Sequence, residues 1–501
     1  MTAATSLAAL LLLAGCDLTR KIPLLAGVPD ASVLRVYSTI QYPDVRRPWL
    51  KKQPFNREGL GTIIADGRIL VTADMAAHTT CINLETPDKK MHSTASVEAM
   101  DEECNLAVLR PSDPDILKDR RALPLDGALP AGTTLKVLQL EANGSPALSS
   151  ATITTAALGS YPAGNSYLIY RTTTTIPQRD GSFEIPALHN DKLAGLVMHY
   201  DPRAQSAEVI PSPLIQRFLT ESSKRGFKGL ARAGIIWAPL RGTTLREWFG
   251  LTKEQGGVAI SPDRKGPAEK AGLRKGDVIL TLAGKTIDAE GNYEDPVLGK
   301  TCFGNLVSMG SSPGDRIDVG YFRPDGRGHG STGTATLTLE GKSPETEISP
   351  SMLEGENIPH AFFGGLLFEE LSRPFLREWG NNWPSEAPQN LVALDVFQNE
   401  ETSDRRRYVI LSGLLPSEET VGAERLTNHV VEKINGIPIR CLGDVAEARK
   451  HPAGGFHRID LDGGGSIFLE SSTLDSEEER LKSRFGISSS QSPYPPASFT
   501  P

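Results

Sequence analysis

Between residues 31 and 218 the chain breaks into short β-rich runs separated by Gly, Pro and Asp turns. They include Gly61-Thr-Ile-Ile-Ala65, Leu106-Ala-Val-Leu109, Thr134-Leu-Lys-Val-Leu138, Ser166-Tyr-Leu-Ile-Tyr170 and Leu193-Ala-Gly-Leu-Val-Met198. Short strands with such regular turn punctuation predict a barrel or sandwich. The 48 Gly, 36 Pro and 6% aromatic residues suit strands joined by turns better than a helical bundle. A polar helix over 211–224 closes this region, its apolar face packing on the domain it ends. With 501 residues the chain is too long for one hydrophobic core, and about three domains are expected.

The rest of the chain repeats itself. Leu245-Arg-Glu-Trp-Phe-Gly250 recurs as Leu376-Arg-Glu-Trp-Gly380, each after an apolar stretch, Gly234–Leu240 and Gly365–Phe368. Each copy later offers a strand and turn of one kind, Asp277–Ile287 and Val430–Ile439. Two homologous domains of about a hundred residues explain this most economically. The Ser-, Glu- and Pro-rich stretch 344–356 reads as the linker between them, and the Ser/Pro-rich end from Ser488 as a disordered tail. A net charge of -8 without a basic stripe excludes a nucleic-acid binder, which neutralises phosphates with clustered Lys and Arg. After Cys16, the cysteines at 81, 104, 302 and 441 have neither CxxC spacing nor clustered His, so no metal site, redox pair or cofactor is expected.

The apolar run Leu7–Ala14 is far short of the ~20 residues that span a bilayer. It ends in Leu13-Ala14-Gly15-Cys16, which resembles a bacterial lipoprotein signal with its lipobox. That resemblance implies a lipidated Cys16, a membrane anchor and a place in the bacterial cell envelope, facing the periplasm or extracytoplasmic side. No Lys or Arg precedes Cys16, a departure that points to a misplaced start codon or a truncated record.

Lys265-Gly-Pro-Ala-Glu-Lys-Ala-Gly-Leu-Arg-Lys-Gly-Asp-Val-Ile-Leu280 resembles the helix and following strand of a PDZ domain. Such a domain adds an extended peptide to an open sheet edge. Gly234, Ile235 and Ile236 fall where it has its carboxylate-binding loop and strand edge. The second copy has Glu418-Glu-Thr-Val-Gly-Ala-Glu-Arg-Leu426 instead of the GPAEKAG helix, which favours a packing or assembly role.

A β-barrel domain followed by two PDZ copies resembles the Deg/HtrA serine protease family, in particular the plant Deg type with a divergent second PDZ. The resemblance covers about residues 31–475 and implies a mainly β chain: a trypsin-like double β-barrel, then two PDZ-like domains. The expected boundaries are a signal peptide at 1–15, a tether at 16–30, the barrels at 31–225 and the first PDZ domain at 229–341. A linker at 342–357, the divergent PDZ-like domain at 358–474 and a helix and tail at 475–501 follow. Relatives of this kind assemble, so homo-oligomerisation is implied as well.

Within the first domain, Gly59–Ala73 is similar to the family's entry to the histidine helix, Glu103–Leu109 to the run with the triad aspartate, and Thr175–Leu188 to the nucleophile loop. The chemistry departs from the scaffold. The histidine position holds Asp74 and the aspartate position Asn105, and the nucleophile falls between Gly181 and Phe183 with Ser182 the only hydroxyl. Aspartate, with a reference pKa of about 3.9 against about 6.5 for histidine, is a feeble base at neutral pH. Losing one triad member lowers turnover by ~10⁴ to 10⁶. Where the family has Gly-Gly near its oxyanion hole, this chain has Glu184-Ile185, a carboxylate and a β-branched residue. His78, four residues after Asp74, shares its face if the segment is helical but sits a turn too far along to serve as base. His92, His189 and His199 read as surface or strand-end residues without clustered partners, and the glycine runs at 326–330 and 463–465 as hairpin turns.

These residues support a pseudoprotease that binds extended or C-terminal segments of partner proteins through its first PDZ domain. A serine endopeptidase using Ser182 with an unrecognised base, and a structural adaptor with closed grooves, remain the alternatives.

Overall fold

The computed structural model describes residues 29–177, 184–252, 255–343, 346–353, 357–401 and 403–487. Cys16, the tether, Ser182 with its neighbour Phe183, and the tail from residue 488 lie outside them.

Six strands form a first closed barrel: β1 (Val33–Ile40), β2 (Phe55–Ile64), β3 (Arg68–Val71), β4 (Thr79–Glu85), β5 (His92–Asp101) and β6 (Leu106–Pro111). Six more form a second: β7 (Thr134–Leu140), β8 (Pro146–Ser160), β9 (Ser166–Thr174), β10 (Pro186–His189), β11 (Lys192–Asp201) and β12 (Ser206–Pro211). The period of two along each strand divides its side chains between two cores. Leu34, Val36, Ile69, Val71, Ala107 and Leu109 point into the first barrel. Their neighbours Val33, Leu70, Leu106 and Val108 face the seam between barrels, where Leu138, Ile169 and Phe218 meet them. Closure leaves neither barrel with an exposed edge. The predicted polar helix is Ser212–Ser222, and its Leu214, Ile215 and Phe218 are fully buried in that seam.

From this helix Arg217 donates to the Met309 carbonyl (2.9 and 3.1 Å), tying the barrels to the next domain. That domain holds β13 (Ile235–Pro239), β14 (Val258–Pro262), β15 (Val278–Leu282), β16 (Lys285–Thr286), β17 (Asn292–Asp295), β18 (Gly299–Cys302), β19 (Arg316–Pro324) and β20 (Gly330–Thr338). Its main sheet runs β13-β14-β15-β19-β20, so β13 is an edge strand. The GPAEKAG motif forms a short helix, Pro267–Lys270, leading to β15.

The second copy holds β21 (His360–Phe363), β22 (Leu366–Glu370), β23 (Val409–Leu414), β24 (Val431–Ile434), β25 (Ile437–Pro438), β26 (Phe456–Leu461) and β27 (Ser466–Glu470). The repeat is visible in three dimensions. β13 and β22 each precede the Leu-Arg-Glu-Trp segment, and β15 and β24 each end in a left-handed turn, Ala283-Gly284 and Asn435-Gly436. One difference matters for binding. β22 lies between β21 and β23, with Phe363 opposite Leu366 across the Gly364-Gly365 turn, so both of its edges are paired within the chain. The expected linker is also more than a spacer: Ile348, Ser349 and Ser351 are buried, and Ser349 donates to Asp395 (2.8 Å).

Candidate functional site

The segment that the sequence places at the catalytic histidine leaves β3 through Thr72 into a single 3-10 turn, Ala73–Met75. Because this turn ends at Ala76, it never becomes the helix on which Asp74 and His78 would share a face. His78 instead adopts a left-handed backbone (φ 54°), gives its carbonyl to the Gln41 N–H (2.9 Å) and sets its ring 5.0 Å from that of Tyr42. The helix-surface reading of His78 is therefore corrected: too few residues are helical to carry it round a turn. His189 is corrected too, since its Nδ1 lies 2.7 Å from Asp126 and it does have a carboxylate partner.

Asp74 and Asn105 come together from segments 31 residues apart. The Asp74 N–H donates to Asn105 Oδ1 (3.1 Å), and Asn105 Nδ2 donates back to Asp74 Oδ2 (3.0 Å). Asn105 is buried with φ 51°, a conformation Asn tolerates better than most residues. The pair sets an amide against a carboxylate at hydrogen-bonding distance, joined in both directions. An amide neither accepts a proton at neutral pH nor stabilises an imidazolium, so this pair orients but does not relay.

Glu184 stands beside them. It is buried in a left-handed conformation (φ 63°) and accepts a hydrogen bond from the Thr72 hydroxyl. Burial pushes its carboxyl up to about 8, against the Thr72 hydrogen bond and with a further rise from Asp74. At neutral pH it is mostly a protonated, neutral acid. The sequence located Glu184 but not its contact with Thr72, which lies 112 residues away.

A cavity of about 260 Å³ opens over Asp74, His78 and Asn105. Its far wall comes from the second PDZ copy, through Ser351, Leu353, Pro374 and Arg377. The loop between β1 and β2 holds that wall in place: Lys52 pairs with Glu378 (2.7 Å), the Arg46 guanidinium lies 4.4 Å from the Trp379 ring centre, and Val45 joins the core around Leu371 and Leu391. Arg377 reaches the Pro162 carbonyl of the second barrel (3.0 Å). Sequence periodicity carries no signal for this roof, because it joins segments more than 200 residues apart.

The first PDZ copy offers the second site. Gly234 has φ 64°, and a Cβ there would meet the Pro267 ring at 2.8 Å, so the turn into β13 requires glycine. Ile235 and Trp237 pack against the domain core while Ile236 is 52% exposed, as the alternation of a strand demands. Trp237 crosses Gly291 and meets the Phe303 ring edge-on at 5.4 Å, beside the helix Gly304–Ser308. Among the described residues only β14 pairs with β13, so its other edge is unpaired there.

Two closed barrels meeting at such a cleft, followed by an edge-presenting PDZ module, define a trypsin-like architecture carrying PDZ domains. Comparison with known proteins agrees. A PDZ domain family model matches residues 353–494, the copy that the sequence motif fits less well. The chain is 26% identical over 438 residues to Protease Do-like 2, chloroplastic, of Arabidopsis thaliana, covering 84% of this chain and 68% of that protein. It is 24% identical over 357 residues to the mitochondrial Protease Do-like 4 of the same plant, covering 69% of this chain and 65% of that one. Among solved structures, the HtrA-type protease AlgW with decapeptide aligns at 19% identity and a TM-score of 0.47, over 63% of this chain and 97% of that one. The chain is thus similar to Deg/HtrA-type proteases, and its C-terminal part matches a PDZ domain.

Proposed function

We propose that this chain has exchanged proteolysis for binding, and holds extended or C-terminal segments of partner proteins on the edge of β13. The observation that carries the reading is the reciprocal Asp74–Asn105 hydrogen bond, which puts an orienting pair where a proton relay belongs. Glu184 in place of an oxyanion-hole glycine supports the same conclusion. The pairing of β22 on both edges supports peptide capture by the first copy rather than the second, which packs over the cleft. Lipid anchoring at Cys16, a position facing the extracytoplasmic side and self-association complete the proposal.

The test compares the purified chain with a variant carrying Asp74→His, Asn105→Asp and a rebuilt Gly-Asn-Ser-Gly-Gly loop. The native chain should leave casein intact and take up no fluorophosphonate at Ser182. Cleavage at a rate near that of the rebuilt variant, or labelling of Ser182, would make the protein a working endopeptidase. Binding of a free-carboxylate peptide at about micromolar Kd, lost on Trp237→Ala, tests the second half. Incorporation of labelled palmitate that disappears in Cys16→Ser tests the anchor.

A further inference from the structure

The cavity between the first barrel and the second PDZ copy remains after proteolysis is removed from consideration, and its charges are unevenly satisfied. Lys52 is paired with Glu378, and Arg377 donates to the Pro162 carbonyl, so the cations on its wall are engaged within the chain. The carboxylates are not matched in the same way. The Asp74 carboxyl accepts from Asn105, an uncharged amide, while Arg57 donates to the Asp74 backbone carbonyl (2.8 Å). Glu102 also lines the cavity, and among the described residues no hydrogen bond or ion pair reaches its carboxylate. Burial pushes Glu102 up to about 7, with Lys342 opposing and Asp74, Asp101 and Glu103 adding to the rise. Pro43, Ala73, Ala77, Pro162, Met352 and Leu353 make much of the remaining lining apolar, with Tyr42, His78 and Ser351 as its polar members.

We infer that this cavity binds an organic cation, the ammonium or guanidinium end of a flexible aliphatic chain, with its charge against Asp74 and Glu102. A charge of that sign supplies the missing counterion, while the methylenes of its stem cover the apolar walls. At about 260 Å³ the cavity falls just below the ~300–1,000 Å³ of drug-sized ligand pockets, room for one long side chain or one small amine. A metal ion fits less well, because among the described residues no three His, Cys, Asp or Glu side chains converge to hold one. The inference rests on the reading that the cleft no longer hydrolyses peptides, which the casein assay on the same preparation checks separately.

Agmatine is titrated into the full chain by calorimetry at about pH 8, where Glu102 is ionised, beside n-pentanol as the uncharged probe of similar length. Agmatine should bind and pentanol should not. Affinity should fall several-fold towards about pH 6 as Glu102 takes up a proton, with Asp74, Asp101 and Glu103 facing it and Lys342 opposing them. Glu102→Gln, verified as folded by circular dichroism, should weaken agmatine about tenfold at the higher pH and flatten the pH dependence. Equal binding of pentanol and agmatine, unchanged agmatine affinity in folded Glu102→Gln, or complete displacement by equimolar magnesium would each overturn the inference. Two peptides with the same C-terminus, one bearing lysine and one norleucine upstream, identify the source of the cation. A lysine advantage that vanishes in Glu102→Gln assigns it to a captured polypeptide, and discrimination by agmatine alone assigns it to a free amine.

Discussion

An amide at position 105 does for Asp74 what a carboxylate there would do for an imidazole: it fixes the facing side chain, and it does so by donating. That dependence makes the two departures from the triad a matched pair. Asn105→Asp alone would remove the donor and set two carboxylates within hydrogen-bonding distance, so it should destabilise the chain by about 2 kcal/mol or more at neutral pH. Adding Asp74→His to that variant should recover most of the loss, because an imidazole N–H can then donate to the carboxylate introduced opposite it. Urea unfolding of the four members of this cycle measures the coupling, and additive effects would show that the pair does not interact. Both residues were legible in the sequence because each sits inside a short local motif, Thr72-Ala-Asp-Met and Asn105-Leu-Ala-Val-Leu. Glu184 was legible only as an anomaly, since its meaning comes from Thr72, just past β3 of the other barrel.

The strands were readable for a simple reason: barrel and PDZ strands bury alternate residues, and turn residues mark their ends. The fold-back of β21 onto β22 was not, because His360-Ala-Phe-Phe363 looks like any apolar run until its partner is known. That hairpin gives the two PDZ copies different sheet edges, one of β13 unpaired among the described residues and both of β22 paired. Its turn is tightly specified. Gly364 has φ 58°, and a Cβ there would lie 2.4 Å from Leu474 Cδ1, while Gly365 has φ 89° with Thr420 and Leu481 close by. Gly364→Ala should therefore lower stability by about 1–3 kcal/mol, read as a reduced Tm, and leave peptide binding at β13 unchanged. A variant with native Tm would show that the turn tolerates a side chain and that β21 is held by something other than its geometry.

Across the whole molecule, buried carboxyls concentrate where domains meet the cleft, and they give folding a pH dependence of definite sign. Burial pushes Glu184 and Glu369 up to about 8, Glu102 to about 7 and Asp101 to about 6, with Glu103 adding to the rise at Asp101. Unfolding returns each to its ordinary value, 4.5 for the glutamates and 3.8 for the aspartate. Between those values and the raised ones the folded chain holds protons that the unfolded chain has released, so stability falls as pH rises through that window. The stabilising contribution is complete below about pH 4 and is lost progressively up to about pH 8. Carboxylates lowered by exposed ion pairs, such as Glu447 and Asp404, act in the opposite sense but are screened by solvent. His360 and His457, lowered by burial, oppose the trend only below the ordinary imidazole value of 6.5. The Tm should consequently be higher near pH 5.5 than near pH 8, by about several degrees. Glu184→Gln and Glu369→Gln keep the shape and remove the titration, so each should raise Tm at the alkaline end and flatten the profile. A Tm that climbs from the acidic to the alkaline end in the native chain would mean that these carboxyls are ionised in the fold. In that case Glu184, beside Asp74, would not be a neutral acid at neutral pH.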